Sequence, residues 1–211
     1  MMAMASIASV TLDVADPSAA DRFYTTAFGL DTQIRLRASE APTTGFRGFT
    51  LALTVSQPAT VNNLIDAALD AGATPLKPAA KSFWGYGGVV RAPDGTIWKV
   101  ATSAKKDTGP DTRRIDEIVL LLGVEDVVAS KRFYVERGLA VAKSFSRMYV
   151  EFAAGPSPVK LALYRRRALA KDVGVAPEGT GSHRLMIGGD AGPFTDPDGF
   201  AWEAASLTPT T

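Results

Sequence analysis

The chain has 211 residues, of which 46% are hydrophobic and 21% charged, and its formal net charge is +1. This composition supplies a sizeable core, excludes wholesale disorder and gives no general case for a nucleic acid or an anionic membrane as partner. The absence of cysteine excludes disulfides, thiolate catalysis and thiolate metal sites. With no signal-peptide pattern at the start and no run near the roughly 20 apolar residues of a membrane helix, we expect a soluble, cytoplasmic protein.

The chain opens with a unit that occurs twice. Residues 7–30 (IASVTLDVADPSAADRFYTTAFGL) combine an alternating strand, an Asp-Pro-Ser helix start, an amphipathic helix with Arg-Phe-Tyr, and a Gly-Leu stop. Residues 115–139 (IDEIVLLLGVEDVVASKRFYVERGL) repeat this order. Similar segments also close the two halves, APDGTIWK at 92–99 and DPDGFAWE at 196–203. A repeat this long exceeds the roughly 20–50 residues of a solenoid unit and predicts a duplicated domain.

The rest of the first half alternates strands with one helix. Periodicity predicts strands at 33–37, 49–55 and 96–101 and a helix at 60–71. A glycine-rich segment, FWGYGG, lies at 83–88, and charged residues with Gly and Pro follow the last strand. We therefore predict a first domain over residues 1–104 and a linker over 105–112.

The second domain is predicted over residues 113–208. After the repeated helix, strands are predicted at 147–152, 159–164 and 183–187, with a basic run at 165–167 and a Gly/Pro loop between the last two. Only residues 188–195 separate the final strand from the closing turn. This is too short for a counterpart of the helix at 60–71, so the second domain is predicted to lack one crossover helix.

These motifs, found in the same order in both halves, resemble the vicinal oxygen chelate superfamily, which contains the glyoxalase, bleomycin-resistance and extradiol dioxygenase proteins. The resemblance covers nearly the whole chain, about one single-domain member per half. It implies an α+β fold of tandem βαβββ modules whose curved mixed sheets close around a cupped pocket. In the metal-using members, His and Glu side chains hold a divalent ion in this cup.

The resemblance assigns ligand positions to this chain, and most of them hold other residues. The unmatched positions are Ser9, Thr50, Lys99, Val119 and the neighbourhood of Leu161. His183 and Glu203 match the family's His and Glu, and they suit Zn, Ni, Mn or Fe. Glu117 would be a third ligand if its strand slips by one or two residues. A metal at this degenerate site is one expectation, and structural roles for His183, the only histidine, and Glu203 are the alternative.

Other candidates point to binding of an organic molecule. Phe83, Trp84 and Tyr86 offer flat apolar faces beside glycines that let a ligand approach, although packing between sheets explains them equally well. Lys99, if buried in a cup, could pair with a substrate carboxylate or act as a general base, and Glu203 is a second catalytic candidate. Ser9, Thr50 and Met148 are further candidates for the cup lining. The basic run at 165–167 suits an anionic ligand or a solvated surface.

Two functional interpretations follow. The first is a protein that binds a small apolar or aromatic molecule without a complete metal site. The second is a metal-dependent lyase, isomerase or dioxygenase that uses His183 and Glu203 on a small oxygenated substrate. Neither a nucleotide-binding glycine motif nor a Gly-x-Ser-x-Gly elbow is present, so no nucleotide cofactor and no serine nucleophile are expected. The expected partner is a small-molecule ligand, with no nucleic acid or membrane, and a homodimer is left open.

Overall fold

The computed structural model describes residues 4–205, which form four helices and fifteen strands. The outermost residues of the two predicted domains, 1–3 and 206–208, lie outside the described residues. The combination of helices with open mixed sheets confirms the predicted α+β class. Within residues 4–205, no helix has both the length and the apolar character needed to cross a bilayer.

The elements of the first half are two helices and seven strands. In chain order they are β1 (Ile7–Val14), α1 (Pro17–Phe28), β2 (Arg35–Ala38), β3 (Thr43–Gly45), β4 (Phe49–Thr54), α2 (Pro58–Asp70), β5 (Thr74–Ser82), β6 (Gly85–Arg91) and β7 (Ile97–Thr102).

The elements of the second half are two helices and eight strands. In chain order they are β8 (Glu117–Val124), α3 (Val127–Glu136), β9 (Val141–Phe145), β10 (Tyr149–Phe152), β11 (Val159–Arg165), α4 (Arg166–Val173), β12 (Gly179–Gly181), β13 (Leu185–Gly189), β14 (Phe194–Thr195) and β15 (Ala201–Ala204).

The larger sheet has eight strands in the order β5-β6-β7-β4-β8-β11-β10-β9. It joins two complete βαβββ modules, β4-α2-β5-β6-β7 from the first half and β8-α3-β9-β10-β11 from the second. In each module the first strand lies beside the last, and the modules meet at their antiparallel first strands, β4 and β8. The two modules are therefore related by an approximate twofold axis near the pair Ala52 and Val119.

The smaller sheet has five strands in the order β14-β15-β13-β1-β2. Strand β1 of the first half pairs with β13 of the second half in antiparallel register. A turn, with no intervening helix, connects β13 to β14. Both large sheets therefore combine strands from both halves of the chain, and a two-stranded ribbon of β3 and β12 links the halves a third time.

The main hydrophobic core lies between the sheets and the amphipathic faces of α1 and α2. Helix α1 begins at Pro17 after Asp16, whose side chain accepts the Ala19 amide, and it ends at Gly29 in the left-handed conformation, as the sequence predicts. From β4, Leu51 and Leu53 enter this core and are fully buried. The alternate side chains of the same strand therefore face the opposite side of the eight-stranded sheet.

Helix α4 covers part of that opposite side. The sequence analysis predicted a loop here, but Leu169, Ala170 and Val173 are buried against Val89 and Ile97 of the sheet. A second, smaller core results. The helix is short, and its C-terminal carbonyls at 171 and 172 accept hydrogen bonds from a lysine of β5.

A repeated hydrogen-bond unit connects each Arg-Phe-Tyr helix to the closing turn of its half. In the first half, the Tyr24 hydroxyl donates to Asp94 at 2.5 Å and accepts from the Trp98 indole at 3.3 Å. In the second half, Tyr134 donates to Asp196 at 2.7 Å and accepts from Trp202 at 3.2 Å.

The two tyrosines have pKa values raised well above 10, because burial and then the neighbouring carboxylate disfavour the phenolate. The pKa of Asp196 is also raised, chiefly by burial, although the Tyr134 hydrogen bond opposes this shift. Each motif of the repeat thus contributes to a buried polar connection that holds helix, turn and strand together.

Candidate functional site

The candidate site lies on the face of the eight-stranded sheet that points away from the main core, which we call the cup face. Strand register places four of its side chains in one row across the sheet: Lys99, Ala52, Val119 and Lys160. The two lysines occupy equivalent last-strand positions of the two modules, on either side of the twofold axis. The cup face therefore has a paired cationic arrangement that comes from the fold itself.

The two lysines have different partners. The Lys99 ammonium lies 2.6 Å from a carboxylate oxygen of Asp172, which belongs to α4. Lys160 lies 2.6 Å from Glu117 and 3.4 Å from Glu151, and both carboxylates come from the sheet. The hydrogen bond to Glu117 is the main cause that raises the pKa of Lys160. Lys160 is thus held in a network within the sheet, whereas Lys99 depends on a helix laid over it.

Lys160 is the residue that the sequence analysis missed. The resemblance placed the family's second ligand near Leu161, but Leu161 is buried in the main core and its neighbour Lys160 faces the cup. Adjacent residues of a strand point to opposite faces of the sheet, so an error of one residue places a side chain on the wrong face. Family spacing alone does not determine position to one residue.

A cavity of about 290 Å³ opens beside Lys99, between the β5–β6 hairpin, β7 and the end of α4. We call it the Trp84 cavity. It brings together three of the sequence-predicted residues, Trp84, Tyr86 and Lys99, with Asp172 opposite. Lys77, Lys81, Ala101 and Thr102 complete its principal lining.

The aromatic residues predicted for this cavity take different positions. Trp84 is 82% exposed and lies at the hairpin tip on the cavity rim. Phe83 is 81% exposed and packs edge-on against Trp84 with 4.9 Å between ring centroids, so it supports the rim from outside. The Tyr86 hydroxyl donates to Asn62 of α2 at 2.7 Å, which directs this side chain to the helix side of the sheet. Trp84 is therefore the ring available to a ligand.

Two glycines of β6 lie where the floor of the cavity has no room for a side chain. A Cβ on Gly85 would collide with the Thr102 carbonyl oxygen, and a Cβ on Gly87 would lie 2.9 Å from the Val100 carbonyl oxygen. Gly85 also has φ of 143°, which favours glycine. The close approach of β6 to β7 that shapes the cavity thus requires small residues at these two positions.

Three other predicted lining residues lie elsewhere. Thr50 is on the cup face but 1% exposed, because its neighbours Ile97 and Leu121 pack with α4. Ser9 is buried in the five-stranded sheet, where its hydroxyl fills the space beside Gly188. Met148 lies in the β9–β10 turn and is 37% exposed. These three residues do not meet the Trp84 cavity.

His183 has no ring nitrogen directed at open space. Its Nδ1 lies 2.6 Å from the Arg47 carbonyl oxygen, its Nε2 lies 3.1 Å from the Asp198 carbonyl oxygen, and its ring stacks on Phe200. Whichever nitrogen carries the proton, the other faces a carbonyl oxygen, and a metal ligand needs a free lone pair.

Glu203 does not share a site with His183. Strand register sets Glu203 beside Gly188, whereas His183 precedes the first residue of β13, so the three strand steps from Leu185 to Gly188, at roughly 3.3 Å each, lie between the two positions. Glu117, the third candidate ligand, lies in the other large sheet and bonds Lys160. Among the described residues no three His, Asp or Glu side chains converge, so the donor set on these strands does not fit a divalent ion.

A larger cavity, of about 690 Å³, lies around His183 and the β3–β12 ribbon. Two of its charged side chains hold other parts of the chain: Arg166 donates to the carbonyls of Pro177 and Phe46, and Asp198 accepts from the Glu125 amide and the Ser130 hydroxyl. Burial lowers the pKa of Arg47, which donates to a turn carbonyl. The contact of Arg166 with Phe46 connects the two halves of the chain. We place the candidate site at the smaller Trp84 cavity, because the Trp84 ring at its rim is exposed and could stack on a ligand.

Comparison with known proteins supports the fold. No family model matches the chain, and a comparison with curated proteins gave no match. Glyoxalase I from Zea mays is similar with a TM-score of 0.61 and 14% identity, covering 95% of this chain and 92% of that chain. A point mutant of the same enzyme gives 0.60 and 15% with the same coverage. A Bacillus subtilis protein provisionally described as a dioxygenase gives 0.55 and 9%, covering 89% and 71%.

These structures match nearly the full length of this chain, while their sequence identity is too low to carry an activity across. The chain therefore has the fold of glyoxalase I, which is the fold that its repeated motifs and their resemblance to the vicinal oxygen chelate superfamily predicted.

Proposed function

We propose that this chain is a vicinal oxygen chelate superfamily protein that binds a small aromatic molecule in the Trp84 cavity without a metal ion. The observation that carries the proposal is the convergence of Trp84, Lys99 and Asp172 on one cavity beside the rim aromatics. An exposed tryptophan that borders a cavity is unusual, because large apolar side chains are normally withdrawn from water.

The size and lining suit a molecule of one or two rings. The cavity of about 290 Å³ lies just below the usual ligand-pocket range of roughly 300–1,000 Å³. The Trp84 indole provides a flat face for stacking, and Ala101 leaves room beside it. The lysines at the cavity edge offer polar contacts that would orient a substituted ring.

The residues on the cup face support binding without a divalent ion. Lys99 stands where the family resemblance expects a Glu ligand. Three carboxylates on this face are already paired with lysines, Asp172 with Lys99 and Glu117 and Glu151 with Lys160. The glyoxalase activity named for the Zea mays protein does not follow for this chain, because function depends on the site rather than on the fold.

Isothermal titration with two matched probes, 2-naphthamide and 2-naphthoate, tests the proposal. We expect one site per chain and an affinity that falls about 3- to 10-fold in Trp84→Ala, from the roughly 0.5–1.5 kcal/mol that an aromatic pair contributes. Phe145→Ala is the matched control, because Phe145 is 62% exposed at the equivalent hairpin of the other module. Equal binding by wild type and Trp84→Ala, or no binding of either probe, would overturn the proposal.

A further inference from the structure

We infer that the ligand of the Trp84 cavity carries a carboxylate, and that this carboxylate replaces Asp172 on Lys99. The inference rests on the proposed function and specifies the class of molecule: an aromatic carboxylate. Without a ligand, the Asp172 carboxylate is the counter-ion of Lys99, and the ligand carboxylate takes its place on binding.

The two equivalent lysines, Lys99 and Lys160, differ in how their counter-ions are held. Lys160 is neutralised by Glu117 and Glu151, which belong to the same sheet and hold their places with it. Within the described part of the chain, Asp172 provides the one carboxylate within ion-pair distance of Lys99, and it comes from a separate element. Loss of one carboxylate therefore leaves Lys99 without a counter-ion, whereas Lys160 keeps Glu151, which is 11% exposed, when Glu117 turns into water.

Asp172 lies at an electrostatically unfavourable position on α4. It stands in the last turn of this helix, where the macrodipole disfavours a negative charge. The helix compensates at its end through Lys77, whose ammonium binds the carbonyls of residues 171 and 172. Helix stability thus gives no reason for an acid at position 172, whereas the ion pair with Lys99 does.

Replacement of Asp172 by a ligand carboxylate needs only a rotation of the Asp172 side chain. The Asp172 side chain is 38% exposed, so its carboxylate can turn into water. The helix itself stays in place, because Leu169 and Val173 are buried against the sheet and Lys77 holds the terminal carbonyls. A ligand can therefore reach Lys99 without any opening of the fold.

The charges that line the Trp84 cavity favour an anionic ligand. The charged side chains in the cavity lining are those of Lys77, Lys81, Lys99 and Asp172. Once Asp172 turns outward, three ammonium groups surround the cavity, and a bound carboxylate offsets this excess. An aromatic ring against Trp84 with its carboxylate on Lys99 spans the two features that the cavity offers.

The experiment compares 2-naphthoate with its neutral isostere 2-naphthamide by titration calorimetry. We expect wild type to prefer naphthoate. Asp172→Asn should strengthen naphthoate binding by about two- to fivefold, the range of a half-exposed ion pair, and change naphthamide binding less. Lys99→Met should abolish the preference for naphthoate.

Glu117→Gln is the matched control, because it removes one carboxylate from the equivalent Lys160 and should leave both affinities unchanged. Circular dichroism and thermal unfolding check that α4 persists in Asp172→Asn. If that variant is unfolded, the salt dependence of wild-type binding decides instead: naphthoate should weaken as NaCl rises and naphthamide should not.

The outcomes separate the two proposals. If both probes bind through Trp84 with equal affinity in wild type, Asp172→Asn and Lys99→Met, the carboxylate inference is wrong and the proposed function stands. If neither probe binds, the proposed function fails and the inference with it.

Discussion

Tyr134 and Asp196 form the more buried of the two tyrosine–carboxylate pairs. The Asp196 Oδ1 accepts two backbone amides, whereas Oδ2 depends on the Tyr134 hydroxyl. Asp196 is 5% exposed, so loss of that hydroxyl would leave a buried oxygen without its partner. Asp94, the counterpart in the first half, is only half-buried and can turn to water for compensation.

We expect Tyr134→Phe to lower the free energy of unfolding by about 1–3 kcal/mol, and Tyr24→Phe by about 0.5–1.5 kcal/mol. Urea unfolding measures both values. Tyr164→Phe is the control, because the Tyr164 hydroxyl makes no hydrogen bond within residues 4–205 and its removal should change little. A larger loss for Tyr24→Phe than for Tyr134→Phe would contradict this account of burial.

Individual residues of the site were only partly predictable from the sequence. Lys99 and Trp84 of the candidate site were among the residues predicted from the sequence, because a cation replaces a family ligand at position 99 and Trp84 lies in the glycine-rich FWGYGG segment. Lys160 was not, since the choice between adjacent residues depends on strand register. Asp172 lies far from Lys99 along the chain, and no local pattern indicates that the two meet.

At the scale of elements, α4 is the feature that distinguishes the cup. It follows β11 directly, begins at Arg166 without a side-chain cap and ends at Gly174 in the left-handed conformation. Its sequence, RRALAKDV, gives barely two turns, so its stability comes from packing on the sheet. This explains why the basic run and Gly/Pro segment predicted a loop, whereas the packed structure has a helix.

Leu169 is the side chain that fixes α4 to the sheet. It is 1% exposed in the smaller core, and we expect Leu169→Ala to lower the free energy of unfolding by about 2–5 kcal/mol. Arg167→Ala, at an exposed position of the same helix, should change it by less than about 0.5 kcal/mol. Chemical denaturation checks both, and a Leu169→Ala variant as stable as wild type would show that α4 is not anchored as described.

At the scale of the whole molecule, the duplication is evident in sequence but the interleaving is not. The repeated strand–helix units, their caps and the closing turns all occur where the patterns predicted them. The pairing of β1 with β13 and of β4 with β8 joins strands far apart in the chain, and it follows from the fold of the family rather than from any local signal. The predicted domain boundaries around residues 105–112 remain predictions.

The same large-scale arrangement separates the candidate metal ligands. His183 lies at the ribbon connection, Glu203 in the five-stranded sheet and Glu117 in the eight-stranded sheet. His183 and Glu203 match the family spacing in the sequence, but spacing does not show what the ring nitrogens of His183 face. The cup face instead combines paired lysines with an aromatic rim, and on this combination we base the proposal of metal-free ligand binding.

The most direct test of this account is calorimetric titration of chelator-treated protein with 2-naphthoate, repeated after addition of Ni²⁺ or Zn²⁺. We predict one site per chain, with affinities that agree within about twofold with and without metal, because the Lys99 and Trp84 contacts involve no ion. Binding that occurs only after metal is added, and that disappears in His183→Ala, would contradict the account and favour the metal-dependent interpretation.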